Sequence, residues 1–89
     1  MTEMKRWRVE IMVGEDEGRT YAEARLHTEV GDQLVGVGRA KLNPNDNDVP
    51  EIGDEIAVAR ALTDLGHRLL ITAAMDLERV TSKPVRLKH

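Results

Sequence analysis

The sequence predicts an α+β domain: a three-stranded antiparallel sheet (β-β-β) followed by a long helix packed on one face. Three observations carry this: apolar residues alternate with period two in three stretches before residue 43, glycine-bearing turns separate them, and beyond residue 53 the period changes to three and four. With 89 residues the chain is sized for one domain, read as 1–89 with a basic tail over 79–89.

Trp7, Val9, Ile11 and Val13 alternate with Arg8, Glu10 and Met12, so residues 6–13 read as the first strand, with one face for a core. Gly14-Glu15-Asp16-Glu17-Gly18 supplies glycines for a turn and acids that prefer water. In 19–28, Ala22, Ala24 and Leu26 share one face, and Tyr21, Glu23, Arg25 and His27 share the other. After Gly31-Asp32, residues 34–42 form a third strand with Leu34, Gly36, Gly38, Ala40 and Leu42 on one side and Val35, Val37, Arg39 and Lys41 on the other. Two glycines two apart on one face leave a shallow groove that a helix can approach closely.

That helix follows the polar loop 43–48. Asp48 with Glu51 has capping-box character, and Asp54-Glu55 after Gly53 offers a second start, taken here for the main helix. Ile56, Ala59, Leu62, Leu65, Leu69 and Ala73 recur at helical spacing and form the stripe expected to face the sheet. Unbroken from 54 to 80 it would measure about 40 Å, longer than a compact domain of this size is wide, so it is expected to end or kink near 72–76. Pro84 then lies in a tail or short edge segment.

Composition narrows the function classes. The chain is 40% apolar and 33% charged with a net charge of −3, a globular balance. It has no apolar run of membrane-spanning length, and its first eight residues lack the apolar core of a signal peptide, so a cytoplasmic location without membrane association is expected. Zero cysteines remove disulfides, thiolate catalysis and thiolate zinc sites.

Several motifs imitate known chemistry. Asn43, Asn45, Asn47 and Asp54 fall at the offsets of an EF-hand loop, but Asp48 stands where that loop needs glycine, and a polar loop preceding the helix explains the same residues. Gly36-Val37-Gly38 lies inside a strand and lacks the third glycine of a dinucleotide fingerprint. His27, His67 and His89 show no ligand spacing, and Ser82 has no acid–base partner to activate it. No catalytic residue, metal ligand or cofactor is therefore assigned, and the expectation is a non-enzymatic protein.

Val35-Gly36-Val37-Gly38-Arg39-Ala40, then Leu42 and Pro44, then Ile52-Gly53-Asp54-Glu55-Ile56-Ala57 and Ala59-Arg60-Ala61-Leu62 resemble a small actinobacterial family of uncharacterised proteins of about this length. The resemblance spans nearly the whole chain and implies a fold like that of double-stranded RNA-binding domains (dsRBD-like). It implies no activity. RNA binders of that fold grip phosphate with bases at the start of the last helix and reach the minor groove with the first hairpin loop. Here those places hold Glu51, Asp54 and Glu55, and Glu15, Asp16 and Glu17. Residues 11–55 carry 11 acids against 4 bases, a local charge of 4 − 11 = −7 that repels phosphate.

Two candidate surfaces remain. The open sheet face mixes Met12, Tyr21, Val35 and Val37 with Arg25 and Arg39, a composition that can dock another chain. The termini are basic, with Lys5, Arg6 and Arg8 at one end and Arg79, Lys83, Arg86 and Lys88 at the other, and these form one patch if the tail lies beside the first strand. A protein-interaction or self-associating module, a homodimer, is the first expectation. Nucleic-acid binding through the basic termini is the alternative. An antitoxin-like partner-binding domain comes third, on the strand order and the Gly53-Asp54-Glu55 helix start alone.

Overall fold

In the computed structural model, residues 2–31, 33–41 and 49–87 are described. Three strands, β1 (Arg8–Asp16), β2 (Arg19–His27) and β3 (Gln33–Lys41), precede one helix, α1 (Pro50–Thr81). The strands form an antiparallel sheet in the order β1-β2-β3, with Val9 opposite Leu26, Ile11 opposite Ala24, and Ala24 opposite Gly36. Burial follows the alternation most plainly along β2, where Thr20, Ala22, Ala24 and Leu26 are buried beneath the helix while their neighbours face outward.

The first strand begins two residues later and runs three residues further than the expected 6–13. Asp16 still pairs with Arg19, so the connection is the two-residue turn Glu17-Gly18, both with positive φ (50° and 75°). That combination matches the right-handed strand twist, and Gly18 adopts it without steric cost.

Sheet and helix meet through their smallest residues. Ala22 and Ala24 of β2 and Gly36 and Gly38 of β3 lie against Gly53, Ala57, Ala61 and Leu65, which recur every fourth residue along α1. A methyl group at Gly36 would collide with the Ala61 carbonyl and the Leu65 amide and lie 2.7 Å from the Leu65 Cα. At Gly38 it would strike the Ala57 carbonyl and the Ala61 amide and lie 2.8 Å from the Arg60 Cβ. The helix backbone therefore rests almost directly on β3. At its first turn, Gly53 leaves room for the buried Thr20 hydroxyl, which would sit 2.8 Å from an added Cβ.

The helix overturns three expectations. Its sheet-facing stripe is Gly53, Ala57, Ala61 and Leu65, while Ile56, Ala59 and Leu62 of the expected stripe are exposed, because only small residues fit against the strand backbone. The helix begins at Pro50, not Asp54, because proline at the first position has its φ preset and loses no helical hydrogen bond. Val49 precedes it without a side-chain cap, and Asp48 of the expected capping box lies outside the described residues. Nor does it break near 72–76: Ala73, Ala74, Met75, Leu77 and Glu78 favour helix, and no glycine or proline interrupts them. It ends where Ser82 turns left-handed (φ 59°) and donates its amide to the Glu78 carbonyl at 2.7 Å, two residues before Pro84. The resulting 32-residue rod gives principal extents of 53 × 30 × 21 Å and a radius of gyration of 16.7 Å, against about 12 Å for a compact chain of this length. Beyond the last turn the tail folds back, with the Val85 amide donating to Glu78 Oε1 at 3.1 Å.

A substitution pair tests the close approach. Gly36→Val should cost about 3 kcal/mol or prevent folding, because its branches meet helix backbone that has nowhere to go. Gly66→Ala, in the same helix but with nothing within 4 Å of the new methyl, should instead stabilise by about 0.5–1 kcal/mol. Urea denaturation of the two variants checks both signs.

Candidate interaction surface

A helix is about 10 Å across and strands lie about 4.8 Å apart, so one helix covers two strands of a sheet and not three. Glycines and alanines on β2 and β3 decide which two. The row of β1 that faces the same side is consequently left out: Val9, Ile11 and Val13 are 43%, 37% and 44% exposed, whereas their neighbours Leu26, Ala24 and Ala22 on β2 are 5%, 0% and 0% exposed. Trp7 continues the row and lines a recess with Leu26, Leu34 and Leu69. On the helix, Leu62 is exposed on the flank that Val58 and Leu69 share by helical spacing. This apolar shelf is the largest departure from the sequence reading, which gave the whole face to the helix.

The opposite face holds the residues named from the sequence, and they are indeed together. Met12 of β1 lies opposite Glu23, and Arg25 opposite Val35. Tyr21 donates its hydroxyl to Glu23 Oε1 at 3.0 Å, Arg25 meets the other oxygen of that carboxylate at 3.5 Å, and the Arg39 guanidinium stands 5.2 Å from the centre of the Tyr21 ring. Partial desolvation together with the Glu23 carboxylate raises the Tyr21 phenol above its ordinary pKa. Met12, at 55% exposure, is the open apolar residue in this polar lattice, while Val35 and Val37 are half-buried.

The basic residues do not converge on one surface. Lys5 lines the Trp7 recess together with Leu69, Thr72 and Asp76, and Arg79 pairs with Asp76 at 3.0 Å. Arg86 lies against Leu70, Ile71, Ala74 and Glu78, about half a turn round the helix from the Lys5 recess. Arg8 points to the outer face, opposite His27, and Arg6 and Lys83 are exposed. Lys88 lies outside the described residues, as does the loop carrying Asn43, Asn45 and Asn47.

The two sheet edges differ. Along β3 the helix takes up two edge groups at mid-strand: Asp64 Oδ2 accepts the Val37 amide at 2.9 Å, and Arg60 donates to the Arg39 carbonyl at 2.7 Å. Arg68 holds the same Asp64 oxygen at 3.0 Å. The Val37 amide first and Arg68 second keep the Asp64 carboxyl below its ordinary value of 3.8. Along β1, all nine residues are exposed and the strand has neither proline nor bulge.

Among the described residues no group of three or more His, Asp or Glu is arranged to hold a metal ion, and no helix is long and apolar enough to cross a membrane. His27 sits on the outer sheet face, His67 on the helix, and Ser82 at its C-cap.

The Asp64 contact predicts an acid dependence. Because its folded pKa is depressed, the stability it contributes is complete above the unfolded value near 3.8 and is lost as pH falls through the lower folded value. Asp64→Ala should therefore lower stability near neutral pH, with the gap from wild type closing as the pH drops below that ordinary value. Denaturant midpoints across an acid series measure it.

The chain is similar to known proteins. A Mycobacterium bovis protein, the uncharacterised Mb1767, is 54% identical over 86 residues, covering 97% of this chain and 90% of that one. Rv2632c of Mycobacterium tuberculosis is 44% identical over 85 residues, covering 96% and 90%. The crystal structure of Rv2632c superposes with a TM-score of 0.83 at 42% identity, over 93% of this chain and 98% of that one. The Rv2632c-like family model matches residues 5–86, and the chain belongs to that family.

Proposed function

We propose that this chain is a non-enzymatic interaction module that docks a polypeptide against the helix side of β1. One observation carries the reading: Val9, Ile11 and Val13 stand exposed in the same pleat whose β2 members are buried under the helix. Soluble chains leave contiguous apolar rows of this kind uncovered chiefly where another molecule covers them. The alternative placement, on Met12, Tyr21, Arg25, Val35, Val37 and Arg39, is less favoured, because its polar groups already bond to one another and would have to be desolvated.

Nucleic-acid binding is the weaker reading on charge. Glu51 and Asp54 lie in the first turns of the helix and Glu15, Asp16 and Glu17 at the hairpin tip, so the two places that would meet phosphate are acidic, while Lys5 and Arg86 lie on different flanks.

Immobilised wild type and Ile11→Lys, exposed to lysate of the source cell with and without nuclease, test the proposal. Wild type should retain protein after nuclease treatment, and Ile11→Lys should lose it while melting within about 1 kcal/mol of wild type, since Ile11 is already partly exposed. Retention that nuclease abolishes, or that Ile11→Lys leaves unchanged, would reject it.

A further inference from the structure

Resting on that reading's choice of β1, we infer that the partner is a second copy of this chain, joined antiparallel, β1 to β1, about a two-fold axis normal to the sheet, so that the two apolar rows cover each other's edge-facing flanks and together line one trough between the helices. The first argument is the unequal treatment of the two edges. The middle of the β3 edge is obstructed by Asp64 and Arg60, which hold its Val37 amide and Arg39 carbonyl, whereas β1 presents nine residues of edge backbone without the proline or bulge that usually blocks pairing. A strand added there extends the ladder directly.

The second argument is charge order. The stretch that includes β1 is basic at its beginning (Lys5, Arg6, Arg8), apolar on its helix side in the middle (Val9, Ile11, Val13) and acidic at its end (Glu15, Asp16, Glu17). Antiparallel self-pairing is the arrangement that sets each basic end beside the acidic end of the other copy. Parallel pairing would set like charges together, which is unfavourable directly across a strand pair.

The third argument is register. Keeping both helices on one side of the joined sheet requires opposite residues to share a face, and a slip of one residue breaks that. Centring the axis on Ile11 satisfies it: Ile11 meets Ile11, Val9 meets Val13 of the second copy, and Arg6 meets its Asp16. The product is a six-stranded sheet, β3-β2-β1-β1-β2-β3, with a continuous apolar row across the junction and one helix over each outer pair of strands. The β1 edges are then paired, and the outer β3 edges are each obstructed at mid-strand by Asp64 and Arg60.

Charge exchange tests this. Wild type should sediment as a concentration-dependent dimer. The variant Arg6→Glu/Arg8→Glu has two acidic ends, and Glu15→Lys/Asp16→Lys has two basic ends. Each alone should self-associate at least about tenfold more weakly at low salt, and an equimolar mixture should recover a heterodimer. Recovery by mixing also shows that both variants are folded. Ile11→Asp, which places two carboxylates face to face on the axis, should abolish the dimer. A wild type that stays monomeric to about millimolar concentration, a dimer indifferent to these changes, or variants that fail to complement would overturn the self-pairing. If wild type is monomeric but Ile11→Lys still loses a foreign protein from lysate, the shelf remains a docking surface for another chain; if Ile11 matters to neither, both readings fall.

Discussion

The contact of helix backbone with strand backbone at Gly36 and Gly38 fixes the position of everything else. Without side chains there, and with alanine at 22, 24, 57 and 61, α1 descends onto β2 and β3 until carbonyls and amides of Ala57, Ala61 and Leu65 occupy the space where β-carbons would be. At that height the short Asp64 side chain reaches the Val37 amide, and Arg60 reaches the Arg39 carbonyl. A helix held further out by larger residues would leave the β3 edge open. The same seat puts β1 beyond the helix's width.

The cost of this arrangement is a thin core. Among the described residues its buried apolar members are Ala22, Ala24, Leu26, Ala40, Ala57, Ala61 and Leu65, and no large side chain is fully buried. An alanine removes little more than one methyl from water, about 0.8 kcal/mol, where a buried valine, leucine or isoleucine contributes about 1.5–3 kcal/mol. The larger aliphatics that would ordinarily fill a core instead lie on β1 and along the helix, at Val9, Ile11, Val13, Ile56 and Leu62. For an 89-residue chain with no disulfide, covering even part of that surface is a substantial fraction of a stability that is typically about 5–15 kcal/mol. Thermodynamic need and edge geometry thus point to the same strand.

What was legible in the sequence was what period and residue size encode. Alternation located the strands and the glycine pair located the groove, but the helix face read from Ile56, Ala59 and Leu62 was displaced by about one residue: Ala57 and Ala61, small enough to meet the glycines, are the ones that face the sheet. The helix ends were not legible, because they follow from local backbone preferences and not from compactness. Pro50 starts the helix where no side-chain cap does, and the run Ala73–Ala74–Met75 sustains it past the edge of the sheet. The exposed β1 row escaped for a different reason: alternation says that Val9, Ile11 and Val13 share a face, but not that anything covers it. A signal was nevertheless present. Small residues on the second and third strands and branched ones on the first mark where the helix sits and where it stops.

The two faces of the sheet differ in what docking would have to displace. On the outer face Tyr21, Glu23, Arg25 and Arg39 satisfy one another, so a partner arriving there trades bonds already made for bonds of its own and must desolvate two guanidinium groups. On the helix side of β1 no ion pair among the described residues stands in the way, and water leaves Val9, Ile11 and Val13 at a gain. Polar satisfaction on one face and apolar surplus on the other make the sheet directional. The acidic hairpin tip and basic leading segment then add orientation to that direction, because charges at the ends of a strand cost little to solvate when alone but discriminate strongly between parallel and antiparallel approach.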